Sequence, residues 1–157
     1  MNGNRKVIIG NLKTGLKNTI CDVDGVLVGH YTIKNEVNKT GITCILPHQG
    51  NLFKEKVVAS TYTYNGFGKS VGLLQIEELG SIETPILLTN TLSVGKVTDG
   101  LISYMINQNK DKNISLTCGI RMFIIVYFNQ ILENYQLNYN LSTPGKNPIL
   151  SAIKSIL

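Results

Sequence analysis

The sequence predicts an α/β fold, and three observations carry the prediction. Short runs of strand length recur between residues 26 and 88: Val26 to Val28, Gly41 to Leu46, Val57 to Tyr64, Val71 to Glu77 and Pro85 to Leu88. The apolar spacing then changes, because Val94, Val97, Leu101, Ile102, Met105 and Ile106 recur at helical intervals. Between these segments stand glycines and polar turn residues, so strand, polar turn and helix follow one another as in α/β designs.

Taken in order, Met1 to Lys17 form a polar, basic, glycine-punctuated lead-in with one β-like run at Val7 to Ile9. Asp24-Gly25 reads as a turn, and Val26 to Val28 as the start of a strand that Gly29 interrupts. Gly41 to Leu46 is a second strand, stopped by Pro47-His48-Gln49-Gly50. Val57 to Tyr64 alternates with Val58, Ser60, Tyr62 and Tyr64 on one face. Val71 to Glu77 also alternates and is expected as a strand, which would point Glu77 and Glu78 to opposite faces. Pro85 to Leu88 is all apolar, as in a strand covered on both sides. The helix that follows has Thr91 or Ser93 available as its N-cap and ends within Asn107 to Lys112. From about Asn113 the texture turns Asn-, Tyr- and Gln-rich, with a final short helix expected at Ile149 to Leu157.

The 157 residues suffice for one domain with a real core and not for two ordinary ones. A 43% hydrophobic and 16% charged composition fits a globular protein. The net charge of +5 is scattered, without a basic tract interleaved with aromatics, which argues against nucleic-acid binding. Cys21, Cys44 and Cys118 lack C-x-x-C spacing, and their odd number favours a reducing, cytoplasmic setting. Cys44 is expected as a buried, inert thiol. The apolar run Val7 to Ile9 is too short for a signal-peptide core, and Met122 to Phe128 too short to span a bilayer, so no membrane role is expected.

Several local patterns suggest chemistry. Asp22-Val23-Asp24-Gly25-Val26 resembles the D-x-D-G box of haloacid-dehalogenase-type phosphatases, with Leu87-Leu88-Thr89 similar to that family's second motif. Such chemistry also needs acids grouped to hold Mg²⁺, and after Thr89 only the scattered Asp99, Asp111 and Glu133 remain. Gly66-Phe67-Gly68-Lys69-Ser70 resembles the end of a P-loop, but Thr63 stands where the leading glycine belongs, so a glycine-rich turn is the better reading. His30 and His48 lie at no metal-ligand spacing, and no metal is expected.

A longer series of motifs carries a family resemblance. Asn18-x-Ile20-x-Asp22-Val23-x-Gly25-Val26-x-Val28-Gly29-His30 comes first, then Gly41-Ile42-Thr43 with Ile45-Leu46-Pro47-His48. Asn65-Gly66-Phe67-Gly68-Lys69-Ser70, Glu77-Glu78-Leu79-Gly80, Glu83 to Thr91 and Ser93-Val94-Gly95 follow in consistent order. Together they resemble the front half of the DmpA-type aminopeptidases (L-aminopeptidase/D-esterase-amidase), from about Asn18 to Gln108. The resemblance implies a partial αββα sandwich of the DmpA/ornithine-acetyltransferase-like, N-terminal-nucleophile type. It implies self-cleavage before a Ser or Thr whose hydroxyl then attacks short peptides or amides with a free N-terminus, without a cofactor.

In that family the nucleophile lies in the second half of a chain more than twice this length. Downstream of Gln108 no Gly-Ser, Gly-Thr, Asn-Ser or Asn-Thr bond occurs. The expectation is therefore a lead-in at 1–17, the front of the peptidase domain at 18–112 and a divergent tail at 113–157. A frameshifted, truncated or split gene would produce that pattern. Such a chain would be inactive alone and weakly stable, with Met122 to Phe128 as an improvised strand or a homo-oligomer covering the exposed sheet. Completed by a second half, it would line the substrate pocket with Tyr64, Asn65, Gly66 and Lys69 and with Thr89, Asn90 and Thr91. Asn65 and Asn90 can both donate and accept at a peptide, while Asp22 and His30 would fix the first turn. A phosphatase and a non-catalytic half-fold module are the alternatives.

Overall fold

The computed structural model describes residues 10–64, 68–110 and the strand residues 125–127. Its main sheet begins with β1 (Leu27–Lys34) and β2 (Lys39–Leu46), an antiparallel hairpin in the register Leu27↔Leu46 to Lys34↔Lys39. The hairpin bend is set by Asn35, whose side-chain oxygen accepts from the backbone N–H groups of Val37 and Asn38. Gly29 does not interrupt β1 as the sequence suggested. It sits buried opposite Cys44, inside an unbroken ladder.

A short strand β3 (Val57–Val58), helix α1 (Leu73–Leu79) and a second short strand β4 (Ser81–Ile82) come next, with β3 and β4 pairing antiparallel. β5 (Ile86–Thr89) then pairs antiparallel with β2, and helix α2 (Val94–Gln108) follows through a 3-10 turn at Thr91–Ser93. β6 (Ile125–Tyr127) pairs parallel with β5, giving the sheet order β1-β2-β5-β6. A strand is thus present within Met122 to Phe128, paired at the edge of the main sheet beside β5. The lead-in run at Val7 to Ile9 and the expected helix at Ile149 to Leu157 lie outside the described residues.

The expected strand over Val71 to Glu77 is corrected to a helix. Leu73, Leu74, Gln75, Glu77, Glu78 and Leu79 are straight-chain or γ-branched helix formers, and Ile76 alone is β-branched. Gly72 and Gly80 bracket the helix at φ 91° and 65°, left-handed conformations that glycine adopts without penalty, and Gly80 N–H returns to the Ile76 carbonyl. Only Ile76 is buried. Glu77 and Glu78 are both exposed, so the opposite-face argument for them falls away. The strand expected over Val57 to Tyr64 is ladder-bonded only at its start, and exposure alternates from Val57 to Tyr62 but not beyond, since Thr63 and Tyr64 are both exposed.

One face of the main sheet carries the core. Ile42, Cys44 and Leu46 of β2 and Leu87 of β5 pack with Val97, Leu101 and Met105 of α2 and with Leu52. The helical residues recur every four positions, which sets one stripe of α2 against the sheet. Cys44 is fully buried as expected, and desolvation pushes its thiol up to about 12. The opposite face holds Val28, Ile45, Ile86 and Leu88, which share registers across three strands and are only half-buried. Among the described residues β5 is therefore covered fully on one side alone, with Leu87 buried and Ile86 and Leu88 half-buried.

Candidate functional site

Strand β5 delivers Thr89, Asn90 and Thr91 to the point where the sheet ends and α2 begins, the usual place for sites in open α/β folds. Thr89 is buried, and its hydroxyl donates to the Gly41 carbonyl at 3.3 Å. Gly41 is required there, since a Cβ would lie 2.5 Å from the Tyr31 carbonyl oxygen on the neighbouring strand. Asn90 uses both ends of its amide. Its Nδ2 donates to Thr40 Oγ1 at 2.6 Å, and its Oδ1 accepts from the Ser93 N–H at 3.1 Å.

Asn90 therefore caps the 3-10 turn, while Ser93, one of the two expected candidates, holds the N-cap position of α2 without a side-chain cap bond. The Ser93 hydroxyl is buried with no hydrogen-bond partner among the described residues. Thr89 and Asn90 are engaged in this clasp, and Thr91, the third residue of the expected set here, is half-buried.

The second set of expected site residues lies elsewhere on the chain. Tyr64 and Lys69 are exposed on the connection between β3 and α1, and neither shares a hydrogen bond with the Thr89–Asn90 clasp. Asn65 and Gly66 lie outside the described residues. The structure thus ties Thr89 and Asn90 to one cluster and does not join Tyr64 or Lys69 to it.

The remaining candidates have structural partners. Asp22 closes a 3-10 turn (Ile20–Asp22): one carboxylate oxygen accepts from the Lys17 N–H at 2.9 Å and the other from the Thr19 N–H at 3.1 Å. These backbone donors, Lys17 first, hold its carboxyl below the usual range. Asp22 fixes the first turn as expected, and a carboxylate so engaged is not presented as a phosphatase nucleophile. His30 serves differently from expectation, bonding through Nδ1 to Thr43 Oγ1 at 2.9 Å across the β1–β2 ladder. His48 accepts the Gly50 N–H on Nδ1 and donates from Nε2 to the Glu55 carbonyl. Among the described residues no three His, Cys, Asp or Glu side chains are grouped to hold a metal ion, and no helix is long and apolar enough to cross a membrane.

Two polar arrangements escaped the sequence. Glu83 is buried at 5% exposure and pairs with Lys56 at 2.9 Å, bracing the end of β4 against the residue before β3. Asn51 Nδ2 donates to Asn109 Oδ1 at 2.8 Å, while Asn109 donates to the Met105 carbonyl at the end of α2. Asn51 also stands at a cleft of about 230 Å³ lined by Leu46, His48, Pro85, Tyr104 and Met105. That cleft is at the amino end of β5, opposite the Thr89–Asn90 clasp.

A fold of this kind is also found in solved aminopeptidases. The chain belongs to peptidase family S58, whose family model matches residues 18–136. It is 34% identical over 102 residues to the beta-peptidyl aminopeptidase BapA of Sphingosinicella microcystinivorans, covering 59% of this chain and 26% of that protein.

Among solved structures it resembles the PH0078 protein of Pyrococcus horikoshii OT3, with a TM-score of 0.75 and 38% identity over 95% of this chain and 43% of that one. It also resembles the L-aminopeptidase D-Ala-esterase/amidase of Ochrobactrum anthropi, described as a serine aminopeptidase with a variant of the Ntn hydrolase fold. There the TM-score is 0.60 and the identity 25%, covering 78% of this chain and 35% of that one. The family resemblance read from the motifs is borne out. The chain spans about a quarter of the length of the curated relatives it matches.

Proposed function

We propose that this chain is the front part of an S58-type aminopeptidase or amidase that acts on short peptides with a free N-terminus. It supplies a wall of the substrate site and not the attacking hydroxyl. The observation that carries this reading is the match to family S58 over residues 18–136 alongside coverage of only 26% of an aminopeptidase relative. The half-buried second face of the sheet, with Val28, Ile45, Ile86 and Leu88 in register, fits a fold whose other sheet is not among the described residues. Stand-alone stability is correspondingly low.

In the completed site, Tyr64, Asn65, Gly66 and Lys69 line the pocket together with Thr91. Asn90 and Thr89 shape the strand exit from beneath. The phosphatase alternative has no support from the relatives, and Asp22 is engaged by its own turn.

The test is hydrolysis of an aminoacyl anilide, read as the free aniline released, by the purified chain alone and after mixing with a polypeptide that supplies the rest of an S58 fold. Turnover only in the mixture is expected. Turnover by the chain alone would overturn the proposal.

A further inference from the structure

The cleft at the amino end of β5 has no part in the Thr89–Asn90 clasp. Pro85 on its wall and Thr89 in the clasp stand at opposite ends of β5, about 13 Å apart along an extended strand of four residues. No small ligand reaches both. The cleft also lies on the helix side of the sheet, since Leu46, Leu52 and Met105 line it and belong to the core cluster.

Space beside a core normally closes, because an unfilled gap forfeits packing. Here side-chain hydrogen bonds fix the rim. His48 accepts the Gly50 N–H on Nδ1 at 3.0 Å and donates from Nε2 to the Glu55 carbonyl at 2.7 Å, which sets the loop after β2. Asn51 Oδ1 accepts from the N–H groups of Phe53 and Lys54 at 3.0 and 3.2 Å, and its Nδ2 donates to Asn109 Oδ1 at 2.8 Å. Asn109 is buried and in turn donates to the Met105 carbonyl at 2.9 Å. Asn51 and Asn109 stand 58 positions apart in the chain, so the loop and the end of α2 are pinned together beside the cleft.

The lining selects the ligand. Among the described residues no Asp, Glu, Lys or Arg lines the cleft. His48 is neutral, because an Nδ1 that accepts a hydrogen bond carries no proton. A charged ligand would lose water there without gaining a counter-charge, at high cost. Leu46, Leu52, Pro85 and Met105 offer apolar surface. The Tyr104 hydroxyl and the side-chain amides of Gln49 and Gln108 have no hydrogen-bond partner among the described residues. Burial pushes the Tyr104 phenol up, so it stays a donor. A volume of about 230 Å³ suits a single ring, since an apolar cavity of about 150 Å³ takes up benzene.

We propose that this cleft binds a small uncharged molecule, one ring or short branched chain carrying an amide group, at a site separate from the substrate wall. The apolar part lies against Leu52 and Met105, while the amide accepts from the Tyr104 hydroxyl and exchanges hydrogen bonds with Gln108. All of these residues belong to this chain, so binding depends neither on the hydrolase reading nor on the rest of the S58 fold.

The test titrates the purified chain with benzamide, benzoate and benzylamine, three probes of one shape and different charge, and follows backbone amide shifts by NMR. Benzamide should bind saturably, with a dissociation constant of about 1 mM or tighter, and shift the amides of Asn51, Tyr104 and Gln108. Benzoate and protonated benzylamine should bind at least tenfold more weakly. Tyr104→Phe keeps the ring and removes the donor, and should weaken benzamide binding about fivefold. Gln108→Trp puts a bulky group at an exposed position of the lining and should abolish binding. Val37→Ala, in the β1–β2 bend, should bind as the parent does. Far-UV circular dichroism of each variant should match the parent.

Absence of saturable benzamide binding would overturn the proposal, as would shifts confined to the Val28, Ile45 and Leu88 face. So would equal affinity for either charged probe, or parental affinity in either cleft variant. None of these outcomes bears on the hydrolase reading, which aminoacyl anilide turnover tests separately.

Discussion

Replacing Asn90 by alanine is the most informative single perturbation of the strand exit. The change deletes two bonds, one from Nδ2 to Thr40 Oγ1 at 2.6 Å and one from the Ser93 N–H to Oδ1 at 3.1 Å. Loss of an N-cap costs about 1 kcal/mol, and loss of a side-chain hydrogen bond about 1 kcal/mol more. A sum of about 2 kcal/mol is a large share of the total stability of a small domain. It corresponds to a fall in melting temperature of roughly 4–8 °C for a chain of 157 residues.

Asn90→Asp keeps the acceptor for Ser93 and places negative charge at the start of α2, which is favourable there. It should lose at most about half as much. The assay is a thermal melt followed by circular dichroism, paired with hydrogen exchange at the Ser93 amide. Asn90→Ala should melt lower and release that amide, with Asn90→Asp in between. An Asn90→Ala melt within about 2 °C of the parent, with Ser93 still protected, would refute the clasp.

Three further outcomes follow from the packing. Lys56→Met leaves the buried Glu83 carboxylate without its cation and should destabilise by about 1–3 kcal/mol, whereas Lys56→Met with Glu83→Leu should recover most of that loss; a urea-denaturation double-mutant cycle measures both. Leu101→Ala removes a fully buried side chain between α2 and the sheet and should cost about 2–5 kcal/mol by the same measurement. Asp22 should titrate below its reference value of 3.8. Its folded value is depressed, so its contribution to the first turn is present above the unfolded value and is lost as pH falls through the folded one. Carbon-detected NMR of the carboxyl, with Asp22→Asn as the pH-insensitive comparison, checks the direction.

Much of the fold was legible because its strongest signals are periodic. The α2 stripe of Val97, Leu101 and Met105 repeats every four residues, and Gly41 to Leu46 alternates against a single core face. Segment Val71 to Glu77 was misread because seven residues satisfy either period, and its straight-chain composition with glycines at both ends was the better guide. Gly29 reads as a break in isolation, but the ladder partner Cys44 keeps the strand continuous.

The site was legible only in part. Thr89 and Asn90 were correctly placed at a strand exit. Their side chains, however, reach Gly41 and Thr40, nearly fifty positions earlier in the chain, and no local pattern encodes that distance. The Asn90 cap was readable in principle, since asparagine three residues before Ser93 is a strong N-cap signal. The Glu83–Lys56 and Asn51–Asn109 pairs depend on how the loops dock and leave no such trace.

The central claim, that this stretch supplies a wall of an S58 site and not its attacking group, is tested most directly by a covalent probe. A serine- and threonine-reactive aminoacyl electrophile is incubated with the chain and with the mixture containing the rest of the fold, and each product is weighed by intact-mass spectrometry. The adduct should appear only on the added polypeptide, with every residue of this chain unlabelled. A stoichiometric adduct on a hydroxyl of this chain, formed in the absence of any partner, would contradict the account.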